Sequence, residues 1–171
     1  MIVIFDGCDN TGKTTIAQAL ARRLMWTYFK YTFVDKSLLA NDICSIVNEN
    51  LERYSLQMLE ALGGSYGRGV NIIIDRHYPS DYVYGRMFRN RTLESLRKIE
   101  EHLIQLRHLI VICTKDEIEV KDDAFVDKTQ QKTANNMFRD FKNFSNANVL
   151  LLDTTDENLE KQLDTIIKRI C

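Results

Sequence analysis

Short apolar runs alternate with amphipathic segments along the 171-residue chain. The apolar runs predict strands at residues 2–5, 31–34, 70–74, 109–113 and 149–152. Apolar residues at helical spacing predict helices at residues 13 to about 28, 41–66 with one break, 92–106, 128–144 and 156–170. Strands that are apolar on both faces and alternate with helices indicate a parallel sheet covered on both sides. The pattern predicts an α/β fold with three α/β/α layers and a five-stranded parallel sheet.

Two helix starts can be placed more closely. Leu93, Leu96, Ile99, Leu103 and Leu106 fall on one face of the helix at 92–106, and Thr92 is placed to cap it. The single proline of the chain, Pro79, follows the third predicted strand and is expected to open a short helix.

Composition narrows the class of protein. The formal net charge is −1, which argues against a protein that holds polymeric nucleic acid or a membrane surface by charge alone. The four cysteines are widely separated and are expected to be reduced thiols. A core strand at the first residues leaves no room for a signal peptide, and no apolar run approaches membrane-spanning length. We therefore expect one cytoplasmic domain over residues 1–171.

A phosphate-binding loop follows the first predicted strand. Residues 7–14 read GCDNTGKT, a complete G-x-x-x-x-G-K-[ST] motif, and a helical pattern begins directly after it. In such a loop Lys13 reaches the outer phosphates and the Thr14 hydroxyl ligates Mg²⁺. The residues expected to bind the donor nucleotide are Asp9, Asn10, Thr11, Gly12, Lys13, Thr14 and Thr15.

An acidic and a basic residue, Asp75 and Arg76, end the third predicted strand. Ligands of open parallel sheets bind beyond the carboxyl ends of the strands. Asp75 would therefore join Thr14 at Mg²⁺, and Arg76 would make a two-pronged contact with a transferring or accepting phosphate. The alternative is a salt bridge that closes the sheet edge, but a phosphate-binding loop already predicts an acid and a base at this place.

These motifs carry a family resemblance. Residues 4–15, IFDGCDNTGKTT, and residues 75–80, DRHYPS, resemble the thymidylate kinase branch of the P-loop nucleoside and nucleotide kinases. The branch has a Ser and aromatic residues near its Asp-Arg element, matched here by Ser80, Tyr82 and Tyr84. Residues 122–127, which lead into a helix, are similar to the segment after the lid in short members, so the lid is placed at about 114–127.

The resemblance implies an ATP donor, Mg²⁺, and a deoxypyrimidine nucleoside monophosphate acceptor such as dTMP. It places Asp9 near the 3′-hydroxyl of the acceptor sugar, with Asp75 and Arg76 at Mg²⁺ and the acceptor phosphate. Lys13 and Arg76 are then the main catalytic cations, with Asp9 beside them. Many relatives are dimers, so the resemblance is compatible with a homodimer.

One departure from the family pattern leaves two classes of acceptor substrate possible. Where many thymidylate kinases have Arg-Glu-Pro-Gly, residues 34–37 read VDKS. Lys36 would replace the arginine of a monophosphate kinase, whereas Asp35 would serve a nucleoside kinase as the general base toward a 5′-hydroxyl. Together with Lys36, the cations Arg76 and Arg53, the latter on a helix that faces the acceptor in related enzymes, favour a monophosphate.

A second departure concerns the lid, which contains no arginine. Lys121 would supply the catalytic cation there, although its acidic neighbours equally indicate a solvated charge cluster. Tyr82 would stack on the acceptor base or pack in the core. Residues 153–155 would border the adenine or cap a turn. A nucleotide-binding regulatory module is the remaining alternative to a kinase.

Overall fold

A parallel sheet forms the centre of the chain in the computed structural model, which describes residues 1–31, 44–63, 69–116 and 127–170. The strands are β1 (Ile2–Gly7), β2 (Thr27–Lys30), β3 (Ile72–Asp75), β4 (His108–Thr114) and β5 (Val149–Asp153). All neighbouring strands are parallel, in the order β2-β3-β1-β4-β5. The predicted five-stranded sheet is confirmed.

Helices connect the strands and cover both faces of the sheet. They are α1 (Lys13–Leu24), α2 (Cys44–Gly63), α3 (Tyr78–Ser80), α4 (Arg86–Phe88), α5 (Leu93–Leu103), α6 (Lys128–Phe144) and α7 (Leu159–Ile170). A π-helical turn, Asp81–Gly85, joins α3 to α4. No helix of the described residues is long and apolar enough to cross a membrane.

Alternation along β1 supplies the two hydrophobic cores. Val3 and Phe5 pack with α1 and α7, while Ile4 on the opposite face packs with α5 and α6. Phe138 and Phe141 of α6 are fully buried in the second core. The three-layer α/β/α arrangement predicted from the sequence is therefore confirmed.

The second strand lies earlier in the chain than predicted. α1 ends at Leu24 because Met25 takes a left-handed conformation (φ 54°) and the Trp26 N–H donates to the Ala21 carbonyl at 3.0 Å. β2 then follows at once, so the predictions of a helix to about residue 28 and a strand at 31–34 were wrong at residues 25–31. Residues 32–34 lie outside the described residues.

Smaller corrections concern other element ends. α2 is unbroken over its described length, so the predicted break is absent there. α5 and α7 are shorter than predicted, β3 spans Ile72–Asp75, and α6 has the predicted limits. Thr92 caps α5 as expected, but Leu93 is 45% exposed, because its place in the first turn lies beyond the edge of the core.

We predict that Leu103→Ala lowers the free energy of unfolding by about 2–5 kcal/mol, because it opens a cavity in a packed core. Leu103 is fully buried. The matched control is Leu93→Ala on the same helix, which should change stability by less than about 0.5 kcal/mol. Urea denaturation followed by circular dichroism measures both, and equal losses in the two variants would contradict this description of the core.

Candidate active site

The register of β1 and β3 brings the two predicted motifs together. Phe5 pairs with Asp75, and the Arg76 N–H donates to the Phe5 carbonyl at 2.8 Å. The phosphate-binding loop and the residues after β3 therefore leave the sheet side by side, at the edge where parallel sheets bind ligands.

Two glycines shape the loop between β1 and α1. Gly7 has φ +141°, and a Cβ there would lie 2.3 Å from the Cys113 carbonyl oxygen. Gly12, with φ +75°, occupies the position just before α1, so the positive end of this helix faces the loop. The Thr11 hydroxyl donates to the Cys8 carbonyl at 2.7 Å and closes the turn. The loop thus has the local geometry of a phosphate cradle.

Two cations converge on Asp9 at the mouth of the loop. Lys13 Nζ is 3.2 Å from Asp9 Oδ1 and 3.0 Å from the Cys8 carbonyl oxygen. Arg76 Nη2 contacts the same Asp9 oxygen. Partial burial opposes ionisation of Asp9, but the charges of Arg76 and Lys13 outweigh it and hold its pKa below the usual value. Burial, followed by the charge of Arg76, lowers the pKa of Lys13.

The two carboxylate oxygens of Asp75 differ in their hydrogen bonds. Its Oδ2 accepts hydrogen bonds from the Thr14 hydroxyl at 2.7 Å and the Tyr28 hydroxyl at 2.8 Å. Its Oδ1 is buried and has no hydrogen-bond partner among the described residues. A buried carboxylate oxygen without a partner is unfavourable, and a hard cation such as Mg²⁺ would satisfy it. Thr14 and Asp75 therefore fit the predicted metal site.

The carboxylate of Asp6 connects the phosphate-binding loop to the segment after β3. It is fully buried and accepts hydrogen bonds from the Gly7 N–H (2.9 Å), the His77 N–H (3.2 Å), the Ser80 N–H (2.8 Å) and the Ser80 hydroxyl (2.6 Å). Burial raises the pKa of Asp6, while Arg76 and these hydrogen bonds oppose the rise. Because every partner donates, these hydrogen bonds favour the ionised carboxylate and offset part of the effect of burial.

Arg76 is held in a backbone conformation that non-glycine residues rarely adopt. Its φ is 72°, which is unfavourable for a residue with a side chain. Its Nη1 donates to the Ser80 hydroxyl at 3.1 Å and lies 3.8 Å from Asp6 Oδ1. The guanidinium carbon lies 5.8 Å from the centre of the Tyr84 ring. These contacts fix the cation beside the loop.

Other predicted site residues lie elsewhere. The Tyr82 ring is buried and stacks on Phe144 with ring centres 4.7 Å apart. Arg53 donates to Asn50 of its own helix at 2.9 Å and lines a cavity of about 570 Å³ between α2 and the start of α5. Asp35, Lys36 and Lys121 lie outside the described residues.

A smaller cavity of about 250 Å³ lies beside the loop, between the ends of β4 and β5. Lys115 and Glu157 form an ion pair across these two ends. The Asp153 carboxylate accepts from the Thr155 N–H at 2.9 Å, so residues 153–155 do cap a turn. The cavity is lined by Asn10, Thr11, Gly12, Thr15, Ile16, Lys115, Thr154, Glu157, Leu159 and Gln162.

Sequence reasoning did not assign a role to two residues of this site. The motif at residues 4–15 contains Asp6, but nothing in it indicates the partners of Asp6 after β3, which lie more than 70 residues away in the chain. Tyr28 fell at the end of a predicted helix, whereas in the structure it lies on β2. Burial and the hydrogen bond to Asp75 raise the pKa of Tyr28 to about 12, so its hydroxyl keeps its proton at neutral pH.

We predict a specific pH dependence of stability from His77. Both ring nitrogens are buried and lack hydrogen-bond partners among the described residues, and burial lowers the pKa of His77 to about 4. In the unfolded chain the His77 side chain binds a proton at about pH 6.5, whereas in the folded protein it stays neutral until about pH 4. The free energy of unfolding therefore falls as pH falls from about 6.5 toward 4.

The comparison variant for this effect is His77→Phe, which keeps a ring at the position. Between pH 7 and pH 5 the wild type should lose about 2 kcal/mol more stability than the variant does. Denaturant titrations at both pH values measure the difference, and parallel losses would show that His77 is not buried in its neutral form.

Comparisons with known proteins bear on the fold. No protein-family model matches the sequence, and no curated protein matches it. The structure matches the YorR protein of Bacillus subtilis, solved in complex with phosphorylated GDP, with 20% identity and a TM-score of 0.69 over 99% of this chain and 95% of that one.

Two kinases of known type are also similar, each over 99% of this chain. Thymidylate kinase from Ehrlichia chaffeensis is 16% identical, with a TM-score of 0.63 and 97% of its chain covered. Deoxyadenosine kinase from M. mycoides, solved with bound dATP, is 14% identical, with a TM-score of 0.61 and 99% covered. The resemblance found in the sequence is thus confirmed at the level of the fold: the chain has the P-loop fold of nucleotide and nucleoside kinases.

Proposed function

We propose that this protein is an ATP- and Mg²⁺-dependent kinase that phosphorylates a deoxypyrimidine nucleoside monophosphate, dTMP or a close relative. The observation that carries the proposal is the convergence of Lys13 and Arg76 on one oxygen of Asp9. Lys13 belongs to the donor loop, and Arg76 follows the neighbouring strand. Two cations from different elements that meet at one carboxylate oxygen suit two phosphate-bearing substrates.

The donor half uses the loop and the cavity beside it. Lys13 and the loop residues Asn10, Thr11, Gly12 and Thr15 hold the donor phosphates, and the 250 Å³ cavity takes the base. Thr14 and Asp75 hold Mg²⁺, which supplies positive charge to the phosphates when it is bound.

The acceptor half depends on Arg76. A guanidinium can grip a phosphate with two parallel hydrogen bonds, and Asp6 and Ser80 keep this guanidinium oriented. When both substrates bind, their phosphates replace Asp9 at Lys13 and Arg76, which leaves the Asp9 carboxylate available to the acceptor 3′-hydroxyl. Transfer then needs only positioning and charge neutralisation, with no covalent intermediate.

Other residues enter the proposal from the sequence. Lys36 and Arg53 would add positive charge on the acceptor side, Tyr82 would contribute to the acceptor pocket, and Lys121 would supply a lid cation. For Arg53 and Tyr82 the role is secondary, because their described contacts do not reach the loop. Lys36 and Lys121 enter the proposal from the sequence alone.

A deoxynucleoside kinase is the second candidate, because the fold matches deoxyadenosine kinase over 99% of this chain. In that case Asp35 would deprotonate the 5′-hydroxyl of a nucleoside. A neutral acceptor would leave Arg76 without an acceptor phosphate to bind, and for this reason we favour the monophosphate.

We predict that Lys13→Ala and Arg76→Ala each lower acceptor-stimulated ADP release by about 100-fold or more, because each removes a charge that stabilises the transition state. The assay couples ADP release to NADH oxidation with ATP, Mg²⁺ and dTMP. Lys168→Ala, which removes an exposed lysine of α7, is the matched control and should keep full activity.

The same assay separates the two candidates when it is run with deoxynucleoside monophosphates and, in parallel, with the corresponding nucleosides. The proposal expects turnover with dTMP or another deoxypyrimidine monophosphate. Turnover with nucleosides only would establish the second candidate instead, and nucleotide binding with no acceptor-stimulated turnover would indicate a regulatory module.

A further inference from the structure

Tyr28 occupies a defined position beside the carboxylate assigned to the metal. It lies on β2 opposite Ile73 of β3, and Asp75 follows Ile73 by two residues on the same face of that strand. From the neighbouring strand its hydroxyl reaches Asp75 Oδ2 at 2.8 Å. The contact therefore results from the sheet register.

The two donors on Asp75 act on the same oxygen. Thr14 and Tyr28 both donate to Oδ2, and Oδ1 has no partner among the described residues although it is buried. Two hydrogen bonds to one oxygen restrict the rotation of a carboxylate about its terminal bond, which leaves Oδ1 as the free oxygen. The hydroxyl of Thr14 can ligate a cation through a lone pair while it continues to donate its proton to Oδ2.

A purely structural role would leave this asymmetry unexplained. Tyr28 is only half-buried at the edge of the core formed with α1, where a phenylalanine would pack equally well. Packing in the core does not require the Tyr28 hydroxyl. This hydroxyl donates to the carboxylate of Asp75, which Thr14 also contacts.

We propose that Tyr28 is a positioning residue that orients Asp75 so that Oδ1 faces the Mg²⁺ of the bound nucleotide. The inference rests on the proposed function, because the phosphates of the nucleotide supply the remaining anionic ligands. Groups that hold a metal-binding side chain in place typically change metal affinity by about 10- to 100-fold when they are removed.

The test is Tyr28→Phe, which removes only the hydroxyl. Calorimetry measures binding of a non-hydrolysable ATP analogue in EDTA and across a series of Mg²⁺ concentrations. We expect nucleotide affinity in EDTA to stay within about twofold of the wild type, while the Mg²⁺ concentration for half-maximal enhancement rises by about 10- to 100-fold. Mn²⁺ binding followed by electron paramagnetic resonance should weaken in parallel.

The matched control is Tyr78→Phe, which also removes a tyrosine hydroxyl from a carboxylate, that of Glu100 at 3.1 Å, in the core on the opposite face of the sheet. It should lower the melting temperature without moving the Mg²⁺ titration. Superimposable Mg²⁺ titrations for Tyr28→Phe and the wild type would overturn the inference and leave the kinase proposal intact. Metal-dependent nucleotide binding that weakens as expected, without acceptor-stimulated turnover, would instead support the inference and overturn the kinase proposal.

Discussion

The buried carboxylate of Asp6 is the interaction on which the rest of the site depends. One of its oxygens accepts from Gly7, at the start of the phosphate-binding loop, and both accept from the segment after β3. A buried charge requires partners, so the loop and this segment cannot separate without leaving Asp6 unsatisfied. The hydrogen bonds from His77 and Ser80 hold the segment that begins at the left-handed Arg76, and the spacing between the phosphate-binding loop and Arg76 follows from that.

The charged groups of the site are paired with one another. Lys13 and Arg76 share the carboxylate of Asp9, and Asp75 shares one oxygen between Thr14 and Tyr28. Under the proposed function, the substrate phosphates would replace Asp9 at Lys13 and Arg76, and the metal would bind the free oxygen of Asp75, whose other oxygen keeps its two donors. Preorganised groups of this kind lower the reorganisation needed in the transition state.

The sequence predicted those parts of the structure that depend on local spacing. The loop motif, the Asp75–Arg76 pair and the apolar strands other than β2 are all read from neighbouring residues, and the structure has them close to the predicted positions. β2 was misplaced because the apolar period of α1 continues past Leu24, and the left-handed Met25 that ends the helix carries no glycine signal. Tyr28 was missed for the same reason. The partners of Asp6 and the stacking of Tyr82 on Phe144 are long-range contacts, which periodicity does not reveal.

The most direct measurement is equilibrium binding of dTMP and of thymidine to the protein saturated with Mg²⁺ and a non-hydrolysable ATP analogue, in the wild type and in Arg76→Ala. The account predicts that the wild type binds dTMP more tightly than thymidine, and that Arg76→Ala loses this preference, because the role proposed for Arg76 is to bind the acceptor phosphate. Equal or tighter binding of thymidine by the wild type would contradict it.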